Sequence, residues 1–225
     1  MEKKLGVLVG ASPLGGECAL LEKLIAQENT YTIAVDGGIS FFLDKMISPD
    51  EWLGDMDSFQ EENYFAGLED FEIKKDFLTR IPTTKVSPIK DDTDMELAIR
   101  KALDHGCTEI QIFGGLGGNR TSHTIANIQL LMQYAKKGIL ITLMDETCKM
   151  FVLHNDSVEF AEKSRGLISV LSLSDLSEGV SIKGLYYEYE GTLTNDRALG
   201  VSNHFCNRKS RIAVENGSLL IIQEY

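Results

Sequence analysis

The sequence predicts an α/β N-terminal domain with a mostly parallel sheet, followed by an all-β C-terminal sandwich-like domain. Two observations support this prediction. Between residues 5 and 144, short apolar runs alternate with helical patterns in which apolar residues recur every three or four positions, as in strands joined by crossover helices. After about residue 149, short strand patterns and turn residues follow one another without helical periodicity, as in antiparallel sheets. We therefore expect two domains, residues 1–145 and 146–225.

The N-terminal elements follow from these patterns in chain order. Strands are predicted at residues 5–9, 31–35, 51–53, 109–113 and 139–144. Helices are predicted at residues 17–27, 39–46, 94–104 and 121–136. Gly138 fits the C-terminal cap of the last helix, because glycine readily adopts the left-handed conformation that terminates helices.

The C-terminal elements are all predicted to be strands. They are placed at residues 149–153, 157–160, 167–173, 180–184, 211–214 and 218–223. Asn216-Gly217 separates the last two, and this dipeptide favours the two-residue turns of β-hairpins. We therefore expect the last two strands to form a hairpin.

Charge and composition exclude several classes of partner. The chain has 225 residues, of which 43% are hydrophobic, enough for a large core, and its formal net charge is −12. Proteins that wrap nucleic acid or bind anionic membranes usually present a basic surface, so we expect neither partner. A nucleotide remains compatible with this charge, because a divalent metal can bridge carboxylates and phosphates.

The cysteines and the apolar runs predict a cytoplasmic location. Four isolated cysteines are present, with no Cys-x-x-Cys pair, which argues against a disulfide framework or a zinc site. No apolar run is long enough to span a bilayer, and no signal-peptide pattern follows Met1.

Acidic residues follow the predicted strands at the points where those strands end. Asp36 follows the second strand, Asp55 and Asp57 follow the third, and Asp94 lies at the start of a helix. The carboxyl ends of parallel strands share one edge of a sheet, where ligands bind. Several carboxylates at one edge repel one another unless a cation lies among them, and Mg²⁺ prefers carboxylate, water and phosphate oxygens. The sequence therefore predicts a metal–phosphate site.

Each acidic segment also has a structural interpretation. Asp36-Gly37-Gly38 could be a simple turn. Asp92 or Thr93 could cap the helix that begins near Asp94, whose carboxylate the helix dipole would favour. For this helix start, a cap and a ligand site both remain open. The Asp55-x-Asp57 pair has no comparable structural explanation.

A glycine-rich segment joins the fifth predicted strand to a helix. It runs from Gly114 to Gly118 and is followed by Asn119 and Arg120. Such a loop lets the backbone approach an anion at a helix N-terminus; a tight turn without a ligand is the alternative interpretation. Arg120 replaces the third glycine of a dinucleotide fingerprint, and the chain has no Gly-Lys-Ser/Thr phosphate loop. His123 and Asn127 lie four residues apart on one helix face.

Taken in chain order, these segments resemble the thiamine pyrophosphokinase family. The matching segments are Asp36-Gly37-Gly38, Gly54-Asp55-Met56-Asp57-Ser58, Asp91-Asp92-Thr93-Asp94, residues 115–127 and Gly200-Val201-Ser202-Asn203. The resemblance implies pyrophosphate transfer from ATP to the hydroxyl of thiamine, with Mg²⁺ as cofactor and AMP as product. It also implies a homodimer with active sites between the subunits.

The resemblance assigns roles to individual residues. It implies that Asp55, Asp57 and Asp94 are metal ligands and, together with Arg120, catalytic residues. The residues that it implies for binding ATP or thiamine are Asp36, Gly37, Gly38, Ser58, Asp91, Thr93, Gly117, Gly118, Ser122, His123, Asn127, Ser202 and Asn203.

Two positions depart from the family pattern. Asn119 and Ser122 stand where the family usually has a glycine and an aspartate. The missing carboxylate leaves open transfer to another heterocyclic alcohol, such as a hydroxymethyl-pterin. A non-catalytic thiamine or nucleotide sensor is the alternative from a different class.

Overall fold

The computed structural model describes residues 3–14, 19–56, 59–118 and 120–225. The chain divides into two compact units, Met1–Asn127 and Ile128–Tyr225. The predicted domain boundary at residues 145/146 stays a prediction.

Unit 1 contains a parallel sheet, as the sequence predicted. Its strands are β1 (Leu5–Val9), β2 (Thr30–Val35), β3 (Glu51–Gly54), β4 (Thr83–Lys85) and β5 (Glu109–Phe113). Their order is β5-β1-β2-β3-β4, and all neighbours pair in parallel. The chain thus adds β2, β3 and β4 on one side of β1 and β5 on the other. A crevice for ligands forms where strand order reverses in this way, which is here between the carboxyl ends of β1 and β5.

Helices connect these strands. They are α1 (Ala19–Ile25), α2 (Ile39–Lys45), α3 (Glu61–Phe65), α4 (Phe71–Thr79), α5 (Asp94–Asp104) and α6 (Thr121–Ala135), with a 3₁₀ turn at Asp36–Gly38. Residues 17 and 18 of the first predicted helix lie outside the described residues. Within the described part of the chain, no helix combines the length and the apolar content needed to cross a membrane.

The core of unit 1 holds the strand ends in place. Val7, Leu8, Ile33, Ile110 and Ile112 are fully buried on the central strands. α5 buries an apolar face of Met95, Ala98, Ile99 and Ala102. A large aliphatic side chain contributes roughly 1.5–3 kcal/mol when it is fully buried, so this core stabilises the strands from whose ends the candidate site residues follow.

Unit 2 is a sandwich of two antiparallel sheets. The strands are β6 (Leu140–Met144), β7 (Cys148–His154), β8 (Ser157–Phe160), β9 (Leu167–Ser172), β10 (Leu176–Lys183), β11 (Tyr189–Thr194), β12 (Asn203–His204), β13 (Ser210–Ala213) and β14 (Ser218–Glu224). Within this unit, one set of hydrogen-bonded strands follows the order β12-β9-β14-β7-β6, and a separate four-stranded sheet has the order β11-β10-β13-β8. Side chains from both sheets, including Val170, Ile182, Ile212 and Ile221, form one buried cluster. The predicted sandwich is therefore confirmed.

The predicted hairpin at the C-terminus is wrong. β13 pairs with β10 and β8, whereas β14 pairs with β7 and β9, so the two strands belong to different sheets. Gly217 has a φ of 122°, and its N–H donates to Asn155 Oδ1 at 2.8 Å. The positive φ suits a crossover between sheets as well as a hairpin. The crossover lets Ile212 and Leu219 enter the same core from opposite sides.

Candidate active site

A pocket of about 510 Å³ lies at the carboxyl ends of the strands of unit 1. Its walls come from the loop after β1, the turn after β2, the start of α5, the glycine-rich loop after β5 and the first turns of α6. The lining residues are Gly10, Ala11, Ser12, Pro13, Val35, Asp36, Thr93, Asp94, Met95, Gly114, Gly118, Arg120, His123, Ala126 and Asn127.

Three carboxylates converge beside this pocket. Asp36 follows β2, Asp55 follows β3 and Asp94 begins α5, and one oxygen from each lies within 4.8 Å of the others. The family resemblance implied substrate binding for Asp36, whereas the pattern of acidic residues grouped it with the predicted metal ligands; the structure brings it together with Asp55 and Asp94. Asp57 and Ser58 lie outside the described residues, so their roles stay predictions.

The electrostatics of the cluster favour a cation. Oδ1 of Asp36 is buried and has no hydrogen-bond partner among the described residues. Burial, followed by the nearby negative charges of Asp94 and Asp55, raises the pKa of Asp36 to about 7. A buried, unpaired carboxylate oxygen among like charges is costly. The oxygen ligands and the unbalanced charge therefore fit a hard divalent ion such as Mg²⁺.

Two glycines make room for this arrangement. A Cβ atom added to Gly54 would lie 1.8 Å from Asp36 Oδ1, and one added to Gly38 would lie 1.8 Å from the carbonyl oxygen of Val9. Neither contact can be relieved without moving the backbone or the Asp36 carboxylate. Glycine at these positions thus lets the ends of β1, β2 and β3 approach one another closely.

The backbone around the cluster is held in an unusual conformation. Asp36 and Met56 have φ values of 49° and 68°, in a region that non-glycine residues adopt at some cost. The indole Nε1 of Trp52 donates to the carbonyl oxygen of Asp36 at 2.9 Å. This hydrogen bond from β3 holds the strained turn in place.

The start of α5 is both a helix cap and part of the pocket. The Thr93 hydroxyl accepts from the N–H of Glu96 at 3.2 Å, so Thr93 is the cap, while Asp94 reaches the carboxylate cluster. Asp91, predicted to bind ATP or thiamine, is exposed. Lys90, which sequence reasoning did not single out, places its Nζ atom 2.7 Å from Asp94 Oδ1.

The glycine-rich loop packs against a second loop that the sequence analysis missed. Gly114, Gly117 and Gly118 all have positive φ, between 61° and 76°. The N–H of Ser12 donates to the carbonyl of Gly114 at 3.0 Å, and its hydroxyl donates to the carbonyl of Gly117 at 3.3 Å. The sequence shows that Gly10 follows a strand, but the contact with Gly114 depends on β1 and β5 being neighbours, which the sequence does not show.

The predicted residues in and just before α6 differ in their exposure and contacts. Arg120 and His123 are exposed and line the pocket. Asn127 is buried, and its Nδ2 donates to the carbonyl of Gly115 at 2.8 Å, so it supports the glycine-rich loop. Ser122 is exposed and is not among the described lining residues, while Asn119 lies outside the described part of the chain.

Ser202 and Asn203 belong to unit 2. The Asn203 side chain is buried. Its Oδ1 accepts from the N–H of Tyr187 at 3.0 Å, and its Nδ2 donates to the carbonyl of Tyr187 at 2.7 Å. The N–H of Ser202 donates to Ser169 Oγ at 3.1 Å. Asn203 thus fixes the Tyr187 backbone, and the predicted role of both residues in substrate binding stays a prediction.

The pocket combines two features needed to handle phosphates. The carboxylate cluster offers oxygen ligands to a cation, and the glycine-rich loop leads into the N-terminus of α6, where backbone N–H groups attract anions. Reactions of nucleotide phosphates depend mainly on such positioning and charge neutralisation. The fold and the pocket together define a transferase of phosphate groups.

Comparison with known proteins identifies the family. The family model for the thiamin pyrophosphokinase catalytic domain matches residues 22–143. The thiamine pyrophosphokinase of Bacillus subtilis (strain 168) is 32% identical over 200 residues, covering 87% of this chain and 88% of that protein. The chain belongs to the thiamin pyrophosphokinase family.

Solved structures agree with this assignment. The crystal structure of thiamine pyrophosphokinase from Bacillus subtilis matches with a TM-score of 0.82 and 26% identity, covering 98% of this chain and 99% of that one. The yeast thiamin pyrophosphokinase structure matches with a TM-score of 0.77, covering 100% of this chain and 87% of that one. At 14% identity, the yeast structure supports the fold alone.

Proposed function

We propose that this protein transfers pyrophosphate from ATP to the hydroxyl of thiamine, giving thiamine diphosphate and AMP. The observation that carries the proposal is the convergence of Asp36, Asp55 and Asp94 beside a glycine-lined pocket in a member of this family. The relatives described above give no support to the alternatives, a pterin alcohol as acceptor or a non-catalytic sensor.

Asp36, Asp55 and Asp94 are the residues that would hold Mg²⁺, joined by Asp57 as the sequence predicts. Bound there, the ion would neutralise phosphate charge and hold the triphosphate against the carboxylates. The unpaired oxygen of Asp36 supports this assignment, because a cation would satisfy it.

The remaining groups position the two substrates. The backbone of the loop that contains Gly117 and Gly118 binds phosphate oxygens, and the planar guanidinium of Arg120 contacts them from the pocket wall. The thiamine hydroxyl attacks the β-phosphorus in line with the bond to the leaving AMP. A carboxylate of the cluster accepts the hydroxyl proton, and we assign this role to Asp94.

We assign the thiamine and dimer contacts to the all-β domain, residues 146–225. Several large apolar side chains are exposed on unit 2, namely Leu167, Tyr186, Tyr187, Leu199 and Val201, and a second copy of the chain could cover them. In the homodimer, Ser202 of the partner subunit and Asn203 of the partner subunit would contact thiamine. The acidic composition suits capture of a cationic substrate, and we place the enzyme in the cytoplasm.

A direct assay tests the reaction. Protein incubated with ATP, Mg²⁺ and thiamine should yield thiamine diphosphate and AMP in equal amounts, as measured by mass spectrometry. Asp55→Asn should form both products about 100-fold more slowly or worse, whereas Glu62→Gln, a matched change at an exposed carboxylate of α3, should behave like the wild type. AMP release with a pterin alcohol but not with thiamine would identify the alternative substrate. Thiamine binding without turnover would identify a sensor.

Complementation tests the shared site. Asn203→Ala and Asp55→Asn proteins, each inactive alone in this proposal, should regain activity after subunit exchange. In a mixed dimer, one of the two sites carries neither substitution. If co-purification of differently tagged subunits shows mixed dimers without recovered activity, the site is built within one chain.

A further inference from the structure

Lys90 is a positive group in direct contact with the carboxylate cluster. Its Nζ lies 2.7 Å from Oδ1 of Asp94, and the two side chains are only 17% and 16% exposed. The same ammonium group donates to the carbonyl of Ser87 at 3.1 Å. Two partners therefore fix this flexible side chain beside a carboxylate that belongs to the proposed metal site.

The position of Lys90 conflicts with the presence of a divalent cation. An ammonium group and a metal ion that share the Asp94 carboxylate lie only a few ångströms apart, and charges at that distance repel strongly in a half-buried site. Lys90 has a long aliphatic stem and a point charge that can be directed to a new partner. A bound nucleotide would bring several negative phosphate oxygens into the same pocket.

We infer that Lys90 is a positioning residue with two alternative partners. Its ammonium group pairs with Asp94 in the metal-free protein and moves to a phosphate oxygen of the nucleotide when the metal binds. This inference rests on the proposed function. In the metal-free state Lys90 offsets part of the negative charge of the cluster and keeps Asp94 oriented. In the loaded state it adds a charge-assisted contact to the phosphates.

Removing the Lys90 charge should change the affinities for metal and for nucleotide in opposite directions. Lys90→Met removes the competitor for Asp94, so divalent metal should bind more tightly, by about 5-fold for an ion pair worth roughly 1 kcal/mol. The same change removes a phosphate contact, so nucleotide should bind more weakly in the presence of metal, by roughly 10-fold or more. If Lys90 only oriented Asp94, Lys90→Met would weaken the binding of both the metal and the nucleotide.

The experiment measures binding rather than turnover. Mn²⁺ is titrated into nucleotide-free protein, and the fluorescence of Trp52, the single tryptophan, reports occupancy because its indole bonds to Asp36. Free Mn²⁺, measured by electron paramagnetic resonance, gives an independent value. A non-hydrolysable ATP analogue is then titrated calorimetrically at saturating Mg²⁺.

Two variants complete the design. Lys75→Met is the matched control, because Lys75 is 59% exposed and pairs with Glu61 at 3.9 Å in a surface contact; it should match the wild type in both titrations. Lys90→Arg keeps the charge and should retain most of the nucleotide affinity.

The outcomes separate this inference from the proposed function. Tighter Mn²⁺ binding together with weaker nucleotide binding in Lys90→Met supports the two-partner role. Unchanged or weaker Mn²⁺ binding, or unchanged nucleotide binding, overturns it while leaving the proposed function intact. Failure of the wild-type protein to bind either Mn²⁺ or the nucleotide analogue would overturn both.

Discussion

Asp36→Asn should stabilise the metal-free protein while inactivating the enzyme. Burial and the charges of Asp94 and Asp55 raise the pKa of Asp36 from 3.8 to about 7. A difference of about 3 between the two pKa values corresponds to about 4 kcal/mol. Asp36 is only partly buried, so solvent screening reduces this figure, and we expect about 1–2 kcal/mol. Asparagine has nearly the same shape and carries no charge at any pH.

The sign of the effect follows from the pKa values. In the unfolded chain Asp36 ionises near pH 4, and in the folded chain near pH 7. Protonated Asp36 therefore favours the folded state: this contribution to the free energy of unfolding is complete below pH 4 and is lost as the pH rises through 7. Asp36→Asn should be more stable than the wild type at pH 8, and this advantage should shrink towards pH 5.

Urea unfolding followed by Trp52 fluorescence in EDTA measures this difference at each pH. Glu62→Gln, at an exposed carboxylate, should leave the free energy of unfolding unchanged. Saturating Mg²⁺ should stabilise the wild type at pH 8 more than the Asp36→Asn protein, because the variant lacks one ligand. A variant that is less stable than the wild type at pH 8, or a difference that does not change with pH, would refute the electrostatic account of this cluster.

Three further predictions concern single side chains. Asp55→Asn should lower turnover by about 100-fold or more, as measured by AMP release at saturating Mg²⁺, and near-normal turnover would remove Asp55 from the site. Ser122→Asp should lower the KM for thiamine by about 10-fold if a carboxylate there grips the cationic substrate; unchanged kinetics would make this departure from the family neutral. Asn203→Ala should lower the free energy of unfolding by about 1–3 kcal/mol, because it removes two hydrogen bonds to the partly buried backbone of Tyr187, and an unchanged thermal midpoint would contradict that role.

The sequence correctly predicted the elements whose apolar residues form the centre of the core. Strands β1 and β5 and helix α5 have the predicted bounds, because their apolar residues are buried in the centre of unit 1 and the sequence pattern reflects that burial. Helices α3 and α4 and strand β4 were missed. α4 buries only Lys74 and Leu78 and exposes Ile73, so it lacks a clear apolar face. β4 is a three-residue edge strand without buried residues.

The candidate site was predictable only in part, for a similar reason. Carboxylates at strand ends and glycines before a helix are visible in the sequence, because each lies next to an apolar strand. Lys90 could not be found in this way, since a lysine four residues before an aspartate is usually a solvated surface charge. The loop at Ser12 was equally hidden, because its relation to Gly114 depends on which strands are neighbours.

The glycines near the acidic residues show that a sequence motif does not by itself reveal what each of its residues does. Gly54 precedes Asp55 in one of the segments that resemble the family. In the structure, a Cβ at Gly54 would collide with the carboxylate of Asp36, which comes from a different strand. The absence of a side chain at Gly54 therefore leaves room for the Asp36 carboxylate in the cluster. Trp52, on the same strand, holds the Asp36 backbone through the hydrogen bond from its indole. The segment from Trp52 to Asp55 and the turn at Asp36 thus work as one unit, and the three-carboxylate cluster depends on both.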